Sequence, residues 1–123
     1  MTRAVFQLQI PESATAAATP AEVTVTGEVD VTNVDEFTQS VLAVPGPRPL
    51  ILVLSGLKYL DSAGFAALDR LLEQDAIVLV LSSESFMYRV AELMCLPIHH
   101  DTESARRALQ ERQAGGLEPD LAP

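Results

Sequence analysis

Residues 50–81 read LILVLSGLKYLDSAGFAALDRLLEQDAIVLVL. The runs LILVL at 50–54 and AIVLVL at 76–81 are apolar without alternation, which suits strands buried on both faces. Between them Phe65, Leu68, Leu71 and Leu72 recur at helical spacing. A strand, a helix and a second strand make a crossover unit, so the two runs are expected as parallel neighbours. Asp61, Ser62 and Gly64 stand where the first strand hands over to the helix. The end of a parallel strand and the start of the next helix expose unpaired N–H groups, where a capping oxygen or an anion is favoured. Asp61 or Ser62 is therefore expected as the N-cap, and Gly64 lets the first turn pack closely.

Upstream, AVFQLQI at 4–10 places Ala4, Phe6, Leu8 and Ile10 in alternation, the pattern of a half-buried edge strand. PESATAAATPAE at 11–22 is rich in Ala, Thr and Pro with no apolar face, so residues 11–21 read as a mobile loop. Alternation resumes at Val23 and ends near Val29, with Gly27 inside it marking a bend or bulge. The period then changes. Val34, Phe37, Val41 and Leu42 outline a helix, Thr32 and Asp35 have capping-box spacing, and PGPRP at 45–49 stops it. Downstream, Ser82 or Ser83 can cap a helix whose apolar face is Phe86, Val90, Leu93 and Met94, ended before Pro97. Asp101 or Thr102 can cap a last helix with a thin apolar face of Ala105, Ala108 and Leu109, which places it at the periphery.

The 123 residues suit one domain with an ordinary hydrophobic core. Cys95 is the sole cysteine, so neither an intrachain disulfide nor a Cys-based zinc site has partners. The N-terminus does not read as a secretory leader, and no apolar stretch approaches a membrane span, so a cytoplasmic protein without membrane insertion is expected. Seventeen acids against eight Lys and Arg give a net charge of −9. Residues 22–36 carry Glu22, Glu28, Asp30, Asp35 and Glu36 and no base, which argues against nucleic acid as a partner.

Three segments in order carry a resemblance. GEVDVTNVDEF at 27–37 is similar to the GELD entry to the first helix of STAS domains, and LSGLKYLDSAGFAAL at 54–68 resembles their signature loop, usually written D-S-[ST]-G. SSESFMYRVAELMCLPIHHDTESARRAL at 82–109 resembles the downstream segment, where a helix ends in a T-G-L turn before a short strand and a final helix. The similarity covers about residues 4–110 and is greatest to bacterial anti-sigma factor antagonists, small proteins that bind a kinase-like anti-sigma factor and so release a sigma factor. It implies an α/β fold, a mixed β-sheet with helices packed mainly on one face, in one domain over 1–112. Residues 113–123 are expected as a flexible tail. The resemblance further implies a non-enzymatic binding protein whose partner is an anti-sigma factor, a kinase-like ATPase, with no cofactor. Its partner-binding surface would comprise Asp30, Thr32, Leu60, Asp61, Ser62, Ala63, Gly64 and Phe65. Ala63, Gly64 and Phe65 would present little bulk there, so that a partner backbone approaches closely. A runner-up role is a STAS accessory subunit of a transporter ATPase or a multi-STAS signalling assembly. No feature of the sequence sets an oligomeric state.

Two departures from the family pattern stand out. The family's phosphorylated Ser or Thr precedes the glycine, and here that position is Ala63, leaving Ser62 as a poor substitute. The T-G-L turn reads Met94, Cys95, Leu96, which puts a side chain where glycine takes a left-handed backbone, so a different turn is expected. Other chemistry is weaker. Asp61 as a receiver-type phosphoacceptor has no acid pair at the end of the first strand to hold magnesium. Ser62 as a hydrolase nucleophile has no G-x-S-x-G elbow. His99 and His100 with Asp101 are expected as exposed strand-end residues ahead of metal ligands, since adjacent histidines on an extended chain point to opposite sides and a third ligand would have to come from elsewhere. Cys95 is expected as a packed thiol at the end of an apolar helix face, with a redox or intermolecular role as the alternative.

Overall fold

In a computed structural model, which describes residues 4–11 and 19–117 and side chains as far as Arg112, the two apolar runs pair in parallel. Leu50 lies opposite Ile77 and Val53 opposite Val80. In chain order the elements are β1 (Phe6–Gln9), β2 (Glu22–Val29), α1 (Val34–Leu42), β3 (Leu50–Leu60), α2 (Ser62–Glu73), β4 (Ile77–Val80), α3 (Tyr88–Leu93), β5 (Ile98–His99) and α4 (Thr102–Leu117). The strands lie side by side in that same order, β1 antiparallel to β2 and the others parallel. This is the mixed sheet expected, with β1 at an edge. Most of the 11–21 loop and residues 118–123 of the tail lie outside the described residues, while α4 continues across the 112/113 boundary to Leu117.

Alternation within β3 and β4 sorts their side chains onto two faces. Leu50, Leu52, Leu54, Leu57 and Leu60 of β3, with Ile77 and Leu79 of β4, join Val34, Phe37 and Val41 of α1 and Phe65, Leu68 and Leu71 of α2 in one core. Ala91 of α3 belongs to the same side. The other face of the strands, Ile51, Val53, Val78 and Val80, is covered by Ala105 and Leu109 of α4. Three helices therefore sit on one face and one on the other. Each fully buried Leu or Ile contributes roughly 1.5–3 kcal/mol, and an uninterrupted apolar strand requires cover on both faces. The thin apolar face of α4 suffices because Ala105, wholly buried, lets the helix axis approach the sheet.

Gly27 bends β2 as expected, with φ +94° and a register shift against β3 between Gly27 and Glu28. A Cβ there would strike the carbonyl oxygen of Val5 in the neighbouring chain segment. At the end of α1, Arg48 donates to the carbonyl oxygens of Leu42 and Val44 at 2.8 and 2.7 Å, supplying partners that the helix terminus lacks.

Several expectations for the local structure are corrected. Thr32 is not the N-cap of α1, which starts one residue later with Asn33 in that position. Neither Ser82 nor Ser83 caps α3, which begins at Tyr88 after a turn in which Ser82 Oγ accepts from the Glu84 N–H and Ser85 Oγ from the Met87 N–H. Its buried side is Met87 and Ala91, so Phe86, Val90, Leu93 and Met94 face outward. Both stripes have helical spacing, and the small Ala91 decides which can approach the sheet. The turn after α3 keeps the left-handed form despite losing its glycine. Cys95 has φ +60°, its N–H bonds to Glu92 O and the Leu96 N–H to Ala91 O, the paired pattern of a Schellman motif. Its thiol is exposed, not packed, because a residue at this position projects away from the helix it ends.

Candidate docking site

β2 and β3 run side by side to their last residues, Val29 opposite Leu60, so the loops that follow them emerge together. Asp61 joins those loops. It is the N-cap of α2, in extended conformation, and its Oδ1 accepts from the Gly64 N–H at 3.0 Å. Its Oδ2 accepts from the Val31 N–H of the neighbouring loop at 3.1 Å. A carboxylate has lone pairs enough to serve both donors at once, whereas a hydroxyl on a short side chain serves the local one. Of the two expected caps, Asp61 therefore fills the position, and Ser62 becomes the first residue of α2 with its side chain exposed.

The loop from Asp30 to Asn33 leaves none of its N–H groups without a partner. That of Asp30 donates to Asn33 Oδ1 at 2.9 Å, that of Val31 to Asp61, that of Thr32 to Asp30 Oδ1 at 2.8 Å, and that of Asn33 to Asp30 O at 3.1 Å. The Thr32 hydroxyl also donates to the Asp30 carboxylate and accepts from the Ala4 N–H. Asn33 is the hub. Only 3 % exposed, it donates through Nδ2 to Ala4 O and Glu28 O at 2.9 and 3.0 Å, tying the entry to β1 and the end of β2 to the loop. A buried amide with this many partners holds one loop geometry, because any other leaves polar groups unpaired. The loop thereby carries the Val31 side chain outward, 71 % exposed.

The eight residues singled out from the sequence divide into two layers. Asp30, Thr32, Asp61, Ser62 and Ala63 are exposed or half-buried around the corner. Leu60, Gly64 and Phe65 are buried beneath it. Of the three residues expected to present little bulk, Gly64 and Phe65 lie inside: a Cβ on Gly64 would collide with the Leu60 side chain, so this glycine accommodates an internal neighbour. Two residues of the corner escaped sequence reasoning. Asn33 lies inside a polar loop with no periodic signal, and Val31 follows the expected end of β2 near Val29 with no spacing rule to single it out.

Comparison with known proteins now bears on this geometry. The family model described as STAS domain matches residues 13–83, more than half of the 123-residue chain. The chain belongs to the STAS domain family. No curated protein matches this STAS domain. Among solved structures it is similar to the crystal structure of an anti-sigma factor antagonist from Mycobacterium paratuberculosis, with a TM-score of 0.64 and 19% sequence identity over 86% of this chain and 95% of that one. At that identity the likeness speaks to the fold.

The residues weighed for other chemistry have separate surroundings in this STAS domain. No group of three or more His, Cys, Asp or Glu suited to a metal ion occurs among the described residues. His99 faces Ser104 Oγ at 3.3 Å and His100 stacks on Tyr88, so the adjacent rings make separate contacts. Asp101 caps α4, its Oδ1 accepting from the Ser104 N–H at 2.7 Å. Clefts lie against Phe6 and Asn33, between Arg48 and Arg112, and beside Leu8 and Val44, and none of the three is lined by Asp61 or Ser62. No helix among the described residues is long and apolar enough to cross a membrane.

Proposed function

We propose that this STAS domain is a cytoplasmic anti-sigma factor antagonist, a non-enzymatic binding protein that sequesters a kinase-like anti-sigma factor and so releases a sigma factor for transcription. The observation that carries the reading is the pairing of the Asp30 loop with the Asp61 corner. The two segments resembling the antagonists' motifs lie far apart in sequence and are bridged by a single carboxylate. The fold-level likeness to an anti-sigma factor antagonist supports the same reading. The acidic balance of the chain and the lack of a basic stripe favour a protein partner over nucleic acid.

Ala63 at the family's phosphorylated position makes this a persistently binding form. A phosphate there would bring about −1.5 to −2 charges beside Asp61. Ala63 accepts none, so control falls to the abundance of the protein or to its partner. Ser62 is exposed and freed from capping, yet the neighbouring Asp61 opposes a new charge at that position. The test incubates wild type, Ala63→Ser and Ser62→Ala with the anti-sigma factor and ATP and locates phosphate by mass spectrometry. Wild type is expected to bind the anti-sigma factor stoichiometrically and stay unmodified, while Ala63→Ser is labelled and its complex weakens. Labelling of wild type that disappears in Ser62→Ala would move the switch by one residue. Absence of binding by wild type would overturn the reading in favour of an accessory role in another assembly.

A further inference from the structure

We infer that Asp61 is a positioning residue for docking as well as the cap of α2: it locks the Asp30–Asn33 loop to the helix corner so that Val31, Ser62 and Ala63 meet the partner as one preformed surface. This rests on the proposed role as an anti-sigma factor antagonist and adds how that surface is assembled and what it contacts.

Three observations carry it. The two oxygens of Asp61 have different clients, Gly64 in its own helix and Val31 across the gap between loops, and capping requires only the first. The other N–H groups of the loop are satisfied within the loop and by Asn33, so the Val31 N–H is the one that reaches the start of α2, through the Asp61 carboxylate, beside the bond from the Asp61 N–H to Val29 O. The loop also presents an apolar side chain to solvent at its tip, where Val31 is 71 % exposed, and the exposed acids Glu28 and Asp35 lie within four residues of it in a stretch, 22–36, that has no Lys or Arg. An apolar tip in an acidic stretch fits a partner surface with an apolar recess and basic groups beside it, and a loop ordered before contact avoids the entropy of ordering it on binding. Val31 is thus the apolar contact and Asp61 the residue that places it.

Asp61→Ser separates capping from positioning. Serine caps a helix about as well as aspartate, but its side chain is one atom shorter and carries a single oxygen, so it satisfies Gly64 and leaves Val31. In the isolated protein, hydrogen exchange at the Val31 amide is expected to quicken at least tenfold in Asp61→Ser while the Gly64 amide keeps its protection. Titration with the anti-sigma factor is expected to show at least tenfold weaker binding, with an unchanged thermal midpoint. Val31→Ser, which alters only an exposed side chain, should weaken binding by a similar factor with wild-type exchange. Unchanged exchange at Val31 in Asp61→Ser, or wild-type affinity in either variant, overturns the inference while the proposed function stands. Failure of the wild-type protein to bind the anti-sigma factor overturns both.

Discussion

Cys95 occupies a backbone conformation that glycine ordinarily fills, and its exposed thiol leaves the side chain little compensating contact. Left-handed backbone costs a residue with a Cβ roughly 1 kcal/mol or more. Cys95→Gly should therefore raise the unfolding free energy by about 1 kcal/mol, read as a shift of the urea midpoint at constant slope. Asp75 has the same conformation at the end of α2, with φ +59°, but its carboxylate receives both hydrogen bonds of an Arg112 guanidinium nitrogen at 2.8 Å, so replacing it trades one term against another. Gly64 behaves in the opposite way. Because Leu60 fills the space beside it, Gly64→Arg should cost about 2 kcal/mol by overpacking, so that lost binding in this variant reports a deformed corner. Asn33→Ala strands Ala4 O, Glu28 O and the Asp30 N–H, and urea denaturation should show a loss of about 3 kcal/mol.

At the level of elements, what the sequence made legible was whatever repeats. The fully apolar runs of β3 and β4, the alternation of β1 and β2, and the period of α1 and α2 each repeat a constraint over several residues, so they survive one ambiguous position. The acidic cap of α2 was legible because few residue types serve there. The rotation of α3 was not. Its segment carries two apolar stripes, and the choice between them depends on how close the helix comes to the core, a tertiary distance absent from local spacing. Phe86 and Leu93 consequently stand 66% and 78% exposed. Leu93→Lys should leave the thermal midpoint within the change of about 0.5 kcal/mol typical of surface sites, whereas Ala91→Lys should unfold the domain's α3 side. The Asp30 loop illustrates a second limit: its acids were visible, but the Asn33 hub depends on carbonyls brought in from Ala4 and Glu28, and no spacing rule encodes them.

Across the molecule, α4 is the sole described helix on the back of the sheet, and Leu109→Asp would set a charge against Ile51 and Val80. A loss of about 3 kcal/mol is expected by urea denaturation. The net charge of −9 also predicts that titration with ATP in the absence of a partner yields no saturable micromolar complex. The bonds between Ala4 and the Asp30 loop have a practical consequence for anyone handling this protein. Ala4 is held by both Thr32 and Asn33, so it sits beside the loop on which Val31 stands. Arg112 instead grips Asp75, at the far end of α2 from Asp61, a 12-residue helix of about 18 Å. A bulky group attached at Ala4 should therefore crowd the proposed docking face and mimic a weak binder, whereas one carried on α4 at Arg112 should leave that face open.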